Sequence, residues 1–385
     1  MQFLRYINAF KRLETPFYFY DLDILDQTLR LYTKFLRKYG FKAHYAMKAN
    51  ANPRILEMIH RSGLGADCVS GNEVQLALDM GFDPDTIVYA GVGKSDREIR
   101  TALQGDIFCF NCESVPEIRV INDLASQMGK TARISLRLNP NIDAQTNKHI
   151  TTGRSKDKFG ISQWMLSEVL EVIAACGNIK LIGLHFHIGS QITDMKVFEK
   201  LCDKVNGFQR WFGQRDICLE HINLGGGIAV DYQDPLGNPF SPFETYFQTI
   251  DDKLEIRKGQ KVHFEPGRAL VAQCGFLISR VLYIKAGKGK QFAILDAGMN
   301  DMIRPALYGA SHAICNITSV SEKQEVYDVV GPVCESADRF GVAVTMPETD
   351  RGDLVAICSA GAYGQVMSMR YNQRDLAQAY YSPDL

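Results

Sequence analysis

Residues 41–50 read FKAHYAMKAN and begin a repeating pattern of strands and helices. The first seven residues form a short run typical of a buried β-strand, and Lys48 follows that run directly. Similar runs recur along the chain, separated by longer stretches whose apolar residues are three and four positions apart. The eight runs lie near residues 41–47, 65–69, 87–91, 107–110, 132–139, 179–187, 220–224 and 261–265. Eight strands that alternate with helices predict a closed (β/α)8 barrel.

The stretches between these runs carry the signals of helices. Apolar residues at 25, 29, 32 and 36 predict a helix that begins after Asp21 as its N-cap and ends at Gly40. A second helical stretch has apolar residues from 74 to 78 and ends at Gly81. An open dinucleotide-binding sheet is the weaker interpretation, because no GxGxxG motif follows the first strand.

The pattern changes after about residue 270. Short β-type runs broken by glycine and proline appear there, at residues 275–283, 291–295, 325–330 and 354–358. The predicted fold class is therefore α/β, a TIM-type (β/α)8 barrel followed by a mainly β C-terminal domain. The predicted boundaries are 1–12 for an N-terminal strand segment that packs on the β domain, 13–270 for the barrel and 271–385 for the β-rich domain.

The composition is that of a globular protein, with 46% hydrophobic and 23% charged residues in a chain of 385. The formal net charge of −1 gives no sign of a nucleic-acid or membrane-surface partner, which would favour basic residues. No apolar run is long enough to span a membrane, and residues 1–6 are too polar for a secretion signal. We therefore expect a cytoplasmic protein without nucleic-acid or membrane partners.

Polar and glycine-rich elements lie at the carboxyl ends of several predicted strands. They are Lys48, Asp67, Arg137, His185, His187, Gly225–Gly227, Glu265 and Arg268. The loops at the carboxyl ends of barrel strands meet at one opening, where the chemistry of such barrels takes place. We therefore expect these residues to lie close together.

Each of these elements also has a simpler structural explanation. Lys48 is compatible with a surface lysine, the three glycines with a tight turn, and Glu265 with an ion pair to Arg268 at the rim. His185 and His187 have the HxH spacing of zinc-dependent hydrolase barrels, but zinc needs further ligands and the motif usually comes earlier in those barrels. We therefore predict no metal site.

Together, these residue types suit pyridoxal 5′-phosphate (PLP), a phosphorylated aldehyde. The aldehyde needs an amine to bind it, and the pyridine nitrogen needs a nearby anion. The flat ring needs a stacking partner, and the phosphate group needs N–H donors from the protein backbone. Glycines allow backbone N–H groups to approach a phosphate closely because they have no side chain. The residues that can meet these four needs are Lys48, Glu265, His187 and Gly225–Gly227.

Seven short motifs occur in an order that is typical of one enzyme family. They are YAMKAN (45–50), HFHIGSQI (185–192), GGG (225–227), EPGR (265–268), DAGMNDMIRPALY (296–308), GPVCESAD (331–338) and GAYG (361–364). Each motif alone is a weak signal, but the ordered series covers nearly the whole chain. The sequence resembles the diaminopimelate decarboxylases, which belong to the fold-type III PLP proteins with alanine racemase and ornithine decarboxylase.

The resemblance implies a set of cofactor-binding residues. Lys48 matches the lysine that binds PLP covalently. His187 matches the residue that stacks on the PLP ring, and Glu265 matches the residue that pairs with the pyridine nitrogen of PLP. The residues implied around the phosphate are Ser190, Gly226, Gly227 and Arg268. Asp67 and Arg137 match positions near the lysine and the ring that support this arrangement. Tyr363 matches a residue that reaches the phosphate or the substrate.

The resemblance also implies the substrate meso-2,6-diaminopimelate, which has an amino-acid group at each end, and its PLP-dependent decarboxylation to L-lysine and CO2. Arg268, Arg304 and Tyr308 match positions that hold carboxylate oxygens, for which guanidinium geometry is well suited. Glu335 matches the residue that meets the distal ammonium, with Tyr363 nearby. Arg304 would repel the distal cation of ornithine or lysine, although bracing the turn at the following proline is its structural alternative.

In this family the active site forms at a dimer interface, which implies a homodimer whose separated monomers are inactive. Cys334, Glu335 and Ser336 would serve the site of the other subunit, and Cys334 or a group beside it would return a proton to Cα. A carboxynorspermidine decarboxylase, another fold-type III decarboxylase or racemase, and a non-catalytic PLP-binding protein remain alternatives. The run DAGMNDMIRP favours diaminopimelate.

The loop at residues 152–160 differs from the family pattern. It has Asp157 where related chains often have serine. This loop is expected to lie next to the active site. We therefore expect the difference to affect the contacts that the loop makes there, and not the reaction itself.

Overall fold

The computed structural model describes residues 2–142 and 158–385 and divides into two compact units. The barrel unit comprises residues 29–229 and 242–267, and the sheet unit comprises residues 1–28, 230–241 and 268–385. The strands are β1 (Phe17–Tyr20), β2 (Lys42–Ala46), β3 (Gly65–Cys68), β4 (Ile87–Tyr89), β5 (Cys109–Cys112), β6 (Ala132–Arg137), β7 (Ile179–His185), β8 (His221–Asn223), β9 (Lys261–Phe264), β10 (Gly275–Gly287), β11 (Lys290–Leu295), β12 (Ile314–Asn316), β13 (Gln324–Val330), β14 (Arg339–Pro347), β15 (Leu354–Ile357) and β16 (Gln378–Tyr381). The helices are α1 (Ile7–Phe10), α2 (Leu22–Lys38), α3 (Pro53–Arg61), α4 (Gly71–Asp79), α5 (Asp96–Gln104), α6 (Val115–Gln127), α7 (Leu166–Ala175), α8 (Met195–Gly213), α9 (Phe243–Lys253), α10 (Arg268–Val271) and α11 (Arg304–Tyr308). None of these helices is long and apolar enough to cross a membrane.

The barrel unit contains a closed barrel of parallel strands, β2 to β9, in chain order. The last strand returns to the first, so that Lys42 of β2 lies opposite His263 of β9. Strands β3, β4 and β5 are buried along their whole length, because strands of a parallel barrel are covered on both faces. Each run predicted from the sequence overlaps one of these strands, which confirms the predicted (β/α)8 barrel.

Short polar residues cap the starts of two helices, and the cap at Asp21 was predicted from the sequence. The Asp21 carboxylate oxygen Oδ1 accepts the N–H of Asp23 at 3.1 Å before α2, and the chain leaves that helix at Gly40 with a φ of 67°. Before α4, the Ser70 hydroxyl accepts the N–H of Glu73 at 3.2 Å. Each of these side chains satisfies a backbone N–H at the start of its helix that has no partner within the helix.

The sheet unit contains a mainly antiparallel sheet with the strand order β12-β15-β10-β11-β13-β14. Strand β1 joins it by pairing antiparallel with β10 and parallel with β16, so that Phe17 lies opposite both Ile278 and Gln378. The sheet confirms the predicted β-rich C-terminal region. Strands β12, β14 and β16 were not expected from the sequence.

The N-terminal segment differs from the prediction of a strand in residues 1–12. Residues Gln2–Tyr6 form a 3-10 helix that continues into α1, and the first strand is β1. Phe3 and Phe10 are seven positions apart, which places both on one helical face, and Phe3 stacks on Phe276 with ring centroids 4.3 Å apart. The predicted domain boundaries stay a prediction, and the compact units group residues 1–28 and 230–241 with the C-terminal sheet.

A chain of hydrogen-bonded imidazoles lies inside the barrel unit. The carbonyl oxygen of Thr86 is 2.8 Å from His44 Nδ1, and His44 Nε2 is 2.9 Å from His263 Nδ1. His263 Nε2 is in turn 2.9 Å from His221 Nδ1. Because a carbonyl oxygen only accepts a hydrogen bond, His44 Nδ1 must be the donor. If each of the three neutral rings likewise donates from Nδ1, every hydrogen bond in the row has one donor and one acceptor. Burial lowers the pKa of all three histidines.

We expect the buried imidazoles to contribute less to the free energy of unfolding as the pH is lowered from about 7 to about 5.5. Unfolded histidines titrate near pH 6.5, whereas burial lowers the pKa of His44 and of His263 in the folded protein, so at these two positions the unfolded state binds more protons below that pH. Each of these two histidines should contribute to the loss. Denaturant unfolding at several pH values measures it.

The variant His263→Gln should show a weaker pH dependence than the parent. His60→Gln is the matched control, because His60 is only partly buried and lies outside the imidazole chain. If the free energy of unfolding varied with pH equally in the parent and in His263→Gln, the acid sensitivity could not be assigned to the hydrogen-bonded imidazoles.

Candidate active site

Lys48 lies directly after β2, on the 3-10 turn Met47–Ala49. Its Nζ atom is 3.2 Å from Oδ2 of Asp67 on β3, and its side chain is 38% exposed whereas that of Asp67 is fully buried. The other carboxylate oxygen of Asp67 has no hydrogen-bond partner among the described residues. Burial and repulsion from Glu265 raise the pKa of Asp67 to about 7. The amine therefore lies beside an acid that changes its protonation near neutral pH.

A buried carboxylate, Glu265, follows β9. Its Oε1 atom accepts hydrogen bonds from the amides of Asn111 at 3.2 Å and Asn223 at 2.7 Å, and Oε2 lies 2.9 Å from His185 Nε2. Burial alone would raise the pKa of Glu265, but its charge interaction and hydrogen bond with His185, together with the charge of Lys48, hold that pKa below its ordinary value. Glu265 is therefore an ionised acceptor at neutral pH.

A neutral imidazole lies just beyond the end of β7. His187 Nδ1 accepts the N–H of Gly226 at 3.3 Å, which leaves the proton of a neutral ring on Nε2. Burial and the positive charges of Arg137 and Lys48 lower the pKa of His187 to about 3. The ring can therefore stack on a flat cofactor without carrying a charge.

The loop after β8 contains consecutive glycines, whose backbone a neighbouring group can approach closely. Gly225 and Gly227 have φ values of 69° and 118°, which side-chain-bearing residues rarely adopt. A Cβ on Gly226 would overlap the carbonyl oxygen of Glu265, and one on Gly227 would come within 2.7 Å of that of Gly189. Such a turn suits a phosphate. Ser190 follows Gly189 in the loop after β7 and is partly exposed.

Arg137 ends β6 and is held by a buried ion pair. Its Nη1 atom donates to Glu113 Oε1 at 2.6 Å, and Glu113 Oε2 accepts the N–H of Gly160 at 3.0 Å. The guanidinium also lies 4.7 Å from the centroid of the Phe159 ring. These contacts connect the end of β6 to the segment that follows residue 157. Asp157 itself, the predicted difference from related chains, lies outside the described residues.

A cavity of about 400 Å³ in the barrel unit brings together five of the residues that were expected to lie close together at the strand ends. Its lining residues are Lys48, Val69, Ala90, Gly91, Val92, Gly93, Lys94, Arg137, Phe159, His185, His187 and Glu265. A volume of this size is typical of sites for small molecules and cofactors. An amine, a neutral imidazole, an ionised carboxylate and a guanidinium thus share one space.

The sheet unit brings two buried arginines together around tyrosine rings. Arg268 begins α10, and its Nη1 atom donates to the Tyr232 hydroxyl at 2.7 Å, with Cζ 4.9 Å from the Tyr363 ring centroid. Arg304 begins α11 and lies 5.5 Å from the Tyr232 centroid, and no carboxylate in the described part of the chain pairs with it. Burial and the charge of Arg268 lower the pKa of Arg304. Tyr308, the last residue of α11, is partly buried.

Cys334 and Glu335 lie in the segment between β13 and β14 of the sheet unit, and both are exposed. The Tyr371 hydroxyl donates a hydrogen bond to Glu335 Oε1 at 2.7 Å. Within the single chain these residues therefore face solvent.

Five residues at these positions were missed by the sequence analysis. Asn111 and Asn223 hold Glu265, and their signal is a polar residue inside an otherwise apolar barrel strand. Glu113 holds Arg137 and directly follows β5, so its position at a strand end was a usable signal. Tyr232 and His312 contact the arginines of the sheet unit and had no signal in the local sequence.

Sequence comparisons identify the family of the chain. Residues 23–272 match the family described as pyridoxal-dependent decarboxylase, pyridoxal binding domain. The chain is 51% identical over 380 residues to the diaminopimelate decarboxylase of Bacteroides thetaiotaomicron, covering 98% of each chain. It is 38% identical to that of Aquifex aeolicus, over 94% of this chain and 85% of the relative.

Solved structures give the same result. A crystal structure of diaminopimelate decarboxylase from Helicobacter pylori complexed with L-lysine is 40% identical, with a TM-score of 0.92, and the match covers 99% of this chain and 94% of that chain. The enzyme from M. jannaschii in co-complex with L-lysine is 32% identical, with a TM-score of 0.90, over 98% and 89% of the two chains. The chain therefore belongs to the pyridoxal-dependent decarboxylases, in the family of the diaminopimelate decarboxylases.

Proposed function

We propose that this chain catalyses the PLP-dependent decarboxylation of meso-2,6-diaminopimelate to L-lysine and CO2, the last step of bacterial lysine biosynthesis. The observation that carries the proposal is an amine, Lys48, in one cavity with a neutral imidazole, His187, and an ionised carboxylate, Glu265. Membership of the family and the L-lysine found in crystal structures of relatives support the substrate.

The residues of the barrel unit fit PLP. Bound PLP supplies an electron-poor ring that accepts the electron pair left when CO2 departs. Lys48 offers the amine for covalent attachment, His187 a neutral face for stacking, and Glu265 an anion that favours a proton on the pyridine nitrogen. The glycine turn at Gly225–Gly227 leaves space that any Cβ would fill, which suits a phosphate. The other residues proposed for cofactor binding are Asp67, Arg137, Ser190, Arg268 and Tyr363.

The arginines of the sheet unit are proposed to bind the carboxylates of the substrate. Arg304 is buried and has no acid partner among the described residues, and a buried guanidinium without an anion is costly. A carboxylate bound there removes that cost and is oriented by the planar guanidinium. Arg268, Tyr308 and Tyr363 complete the proposed set, and Glu335 is proposed to meet the distal ammonium.

The proposal includes a homodimer in which each subunit completes the site of the other. Cys334 and Glu335 are exposed in the single chain, a position suited to contact with a second copy. Cys334 is proposed to return a proton to Cα after CO2 has left. The cytoplasmic location expected from the sequence belongs to the same proposal, with no nucleic-acid or membrane partner.

The parent protein with PLP should convert meso-diaminopimelate to equal amounts of L-lysine and CO2, and Lys48→Ala should abolish both. Without the amine the cofactor cannot be held covalently, so the visible absorbance of the attached PLP and its reduction onto the protein by borohydride should also disappear. Lys42→Ala is the matched control, because this exposed lysine begins β2, the strand that precedes Lys48.

Turnover by Lys48→Ala would disprove the role of this lysine. Loss of the substrate without CO2 would identify a racemase of the same fold, and a parent protein that binds PLP but leaves the substrate unchanged would identify a binding protein.

Arg304→Ala should raise the KM for meso-diaminopimelate by tenfold or more, on the order of 1.5–3 kcal/mol for a charged contact. Inhibition by L-lysine should weaken in parallel, because lysine retains the distal carboxylate, whereas the affinity for PLP should stay that of the parent. Steady-state kinetics and PLP titration measure these quantities. Arg351→Ala, at an exposed arginine of the sheet unit, is the control. A parent-like KM would show that Arg304 does not bind the substrate.

A mixture of Lys48→Ala and Glu335→Ala subunits should regain activity that neither variant has alone. If sites are shared, a mixed dimer has one site with both substitutions and one site with neither, so random exchange restores about a quarter of the parental sites. The mixture is refolded or exchanged and assayed for L-lysine, with analytical ultracentrifugation to establish the dimer. A mixture as inactive as its parts would show that each site is built from one chain.

A further inference from the structure

His312 lies beside the guanidinium of Arg304 in the sheet unit, and the proposed function gives it no role. Its Nε2 atom is 3.4 Å from Arg304 Nε, and its Nδ1 atom is 2.8 Å from the carbonyl oxygen of Cys358. The side chain is buried, with 8% of the residue exposed. The imidazole therefore connects a buried cation to a fixed backbone atom.

The contacts of His312 determine its tautomer. A carbonyl oxygen only accepts, so Nδ1 carries the proton that is donated to Cys358. In the neutral ring Nε2 then has a lone pair, which accepts the Nε–H of Arg304. Burial and the charge of Arg304 lower the pKa of His312 to about 3, so the ring stays neutral at working pH.

The backbone around His312 holds the ring in place. The N–H of Cys358, directly after β15, donates to the carbonyl oxygen of Ala313 at 2.9 Å, which fixes the residue next to His312. The imidazole also packs edge-on against Tyr232, with ring centroids 4.9 Å apart and an interplanar angle of 76°. The ring is thus restrained by a hydrogen bond on one side and an aromatic contact on another.

We propose that His312 is a positioning residue for substrate recognition, because it binds Nε of Arg304 and leaves the two Nη atoms to pair end-on with a substrate carboxylate. This inference rests on the proposed function. Among the described residues, no hydrogen-bond partner occupies either Nη atom of Arg304. A guanidinium can bind a carboxylate through both Nη atoms or through Nε and one Nη atom. Because His312 occupies Nε of Arg304, only the first of these two geometries is open to a substrate carboxylate.

Two isosteric variants test this role. His312→Asn keeps an amide N–H near the position of Nδ1 for Cys358 but removes the acceptor from Arg304, whereas His312→Gln places an amide oxygen near the position of Nε2. His312→Asn should raise the KM for meso-diaminopimelate and the inhibition constant of L-lysine about tenfold, with kcat changed less than about threefold. His312→Gln should stay within about threefold of the parent in all three constants.

The PLP affinity and the thermal unfolding midpoint should match the parent in both variants. A parent-like KM in His312→Asn, or equal losses in both variants with a lowered midpoint, would overturn the positioning role. If His312→Asn does not fold, His312→Ser with added imidazole replaces it. A KM that falls as imidazole is added then supports the role, and a KM insensitive to imidazole overturns it.

The failures of the two proposals are distinguishable. If the parent protein forms no L-lysine and CO2, the proposed function and this inference both fail. If the parent forms both products and His312→Asn keeps the parental KM, the inference alone fails.

Discussion

The ionisation of one buried carboxylate controls the electrostatics of the barrel cavity. A carboxylate removed from water is costly unless donors replace its hydration, and Glu265 has such donors in Asn111, Asn223 and His185. Burial raises the pKa of Asp67 to about 7, and the retained charge of Glu265 adds to that rise. Two acids of the same barrel thus differ in protonation, and the difference originates in their hydrogen bonds and burial.

The two units carry buried charges of opposite sign. The barrel unit fixes a negative charge at Glu265, which is proposed to pair with the pyridine nitrogen, whereas the sheet unit fixes two positive charges at Arg268 and Arg304. In both units a neutral histidine lies next to a permanent charge and is kept neutral by burial, His187 in the barrel unit and His312 in the sheet unit. Neutral rings allow close packing without adding a competing charge.

The barrel and its strand ends could be predicted because they depend on local patterns. Short buried runs mark the strands, and the topology of a barrel then brings their carboxyl ends together. Contacts between distant residues could not be predicted in this way, such as that of Asn111 with Glu265, 154 positions later. The sequence predicts a strand where residues 2–10 form a helix, because the burial of Phe3 and Phe10 depends on a sheet made mostly of later residues.

The pairing of β1 with β10 and β16 has a consequence for the order of folding during translation. β1 leaves the ribosome before any of the barrel strands, but Phe17 meets Ile278 and Gln378 only after hundreds of further residues have been synthesised. The barrel strands end at Phe264, so the barrel can close while the ribosome is still adding the strands of the sheet. Completion of the sheet is therefore a late event that waits for both distant segments of the nascent chain.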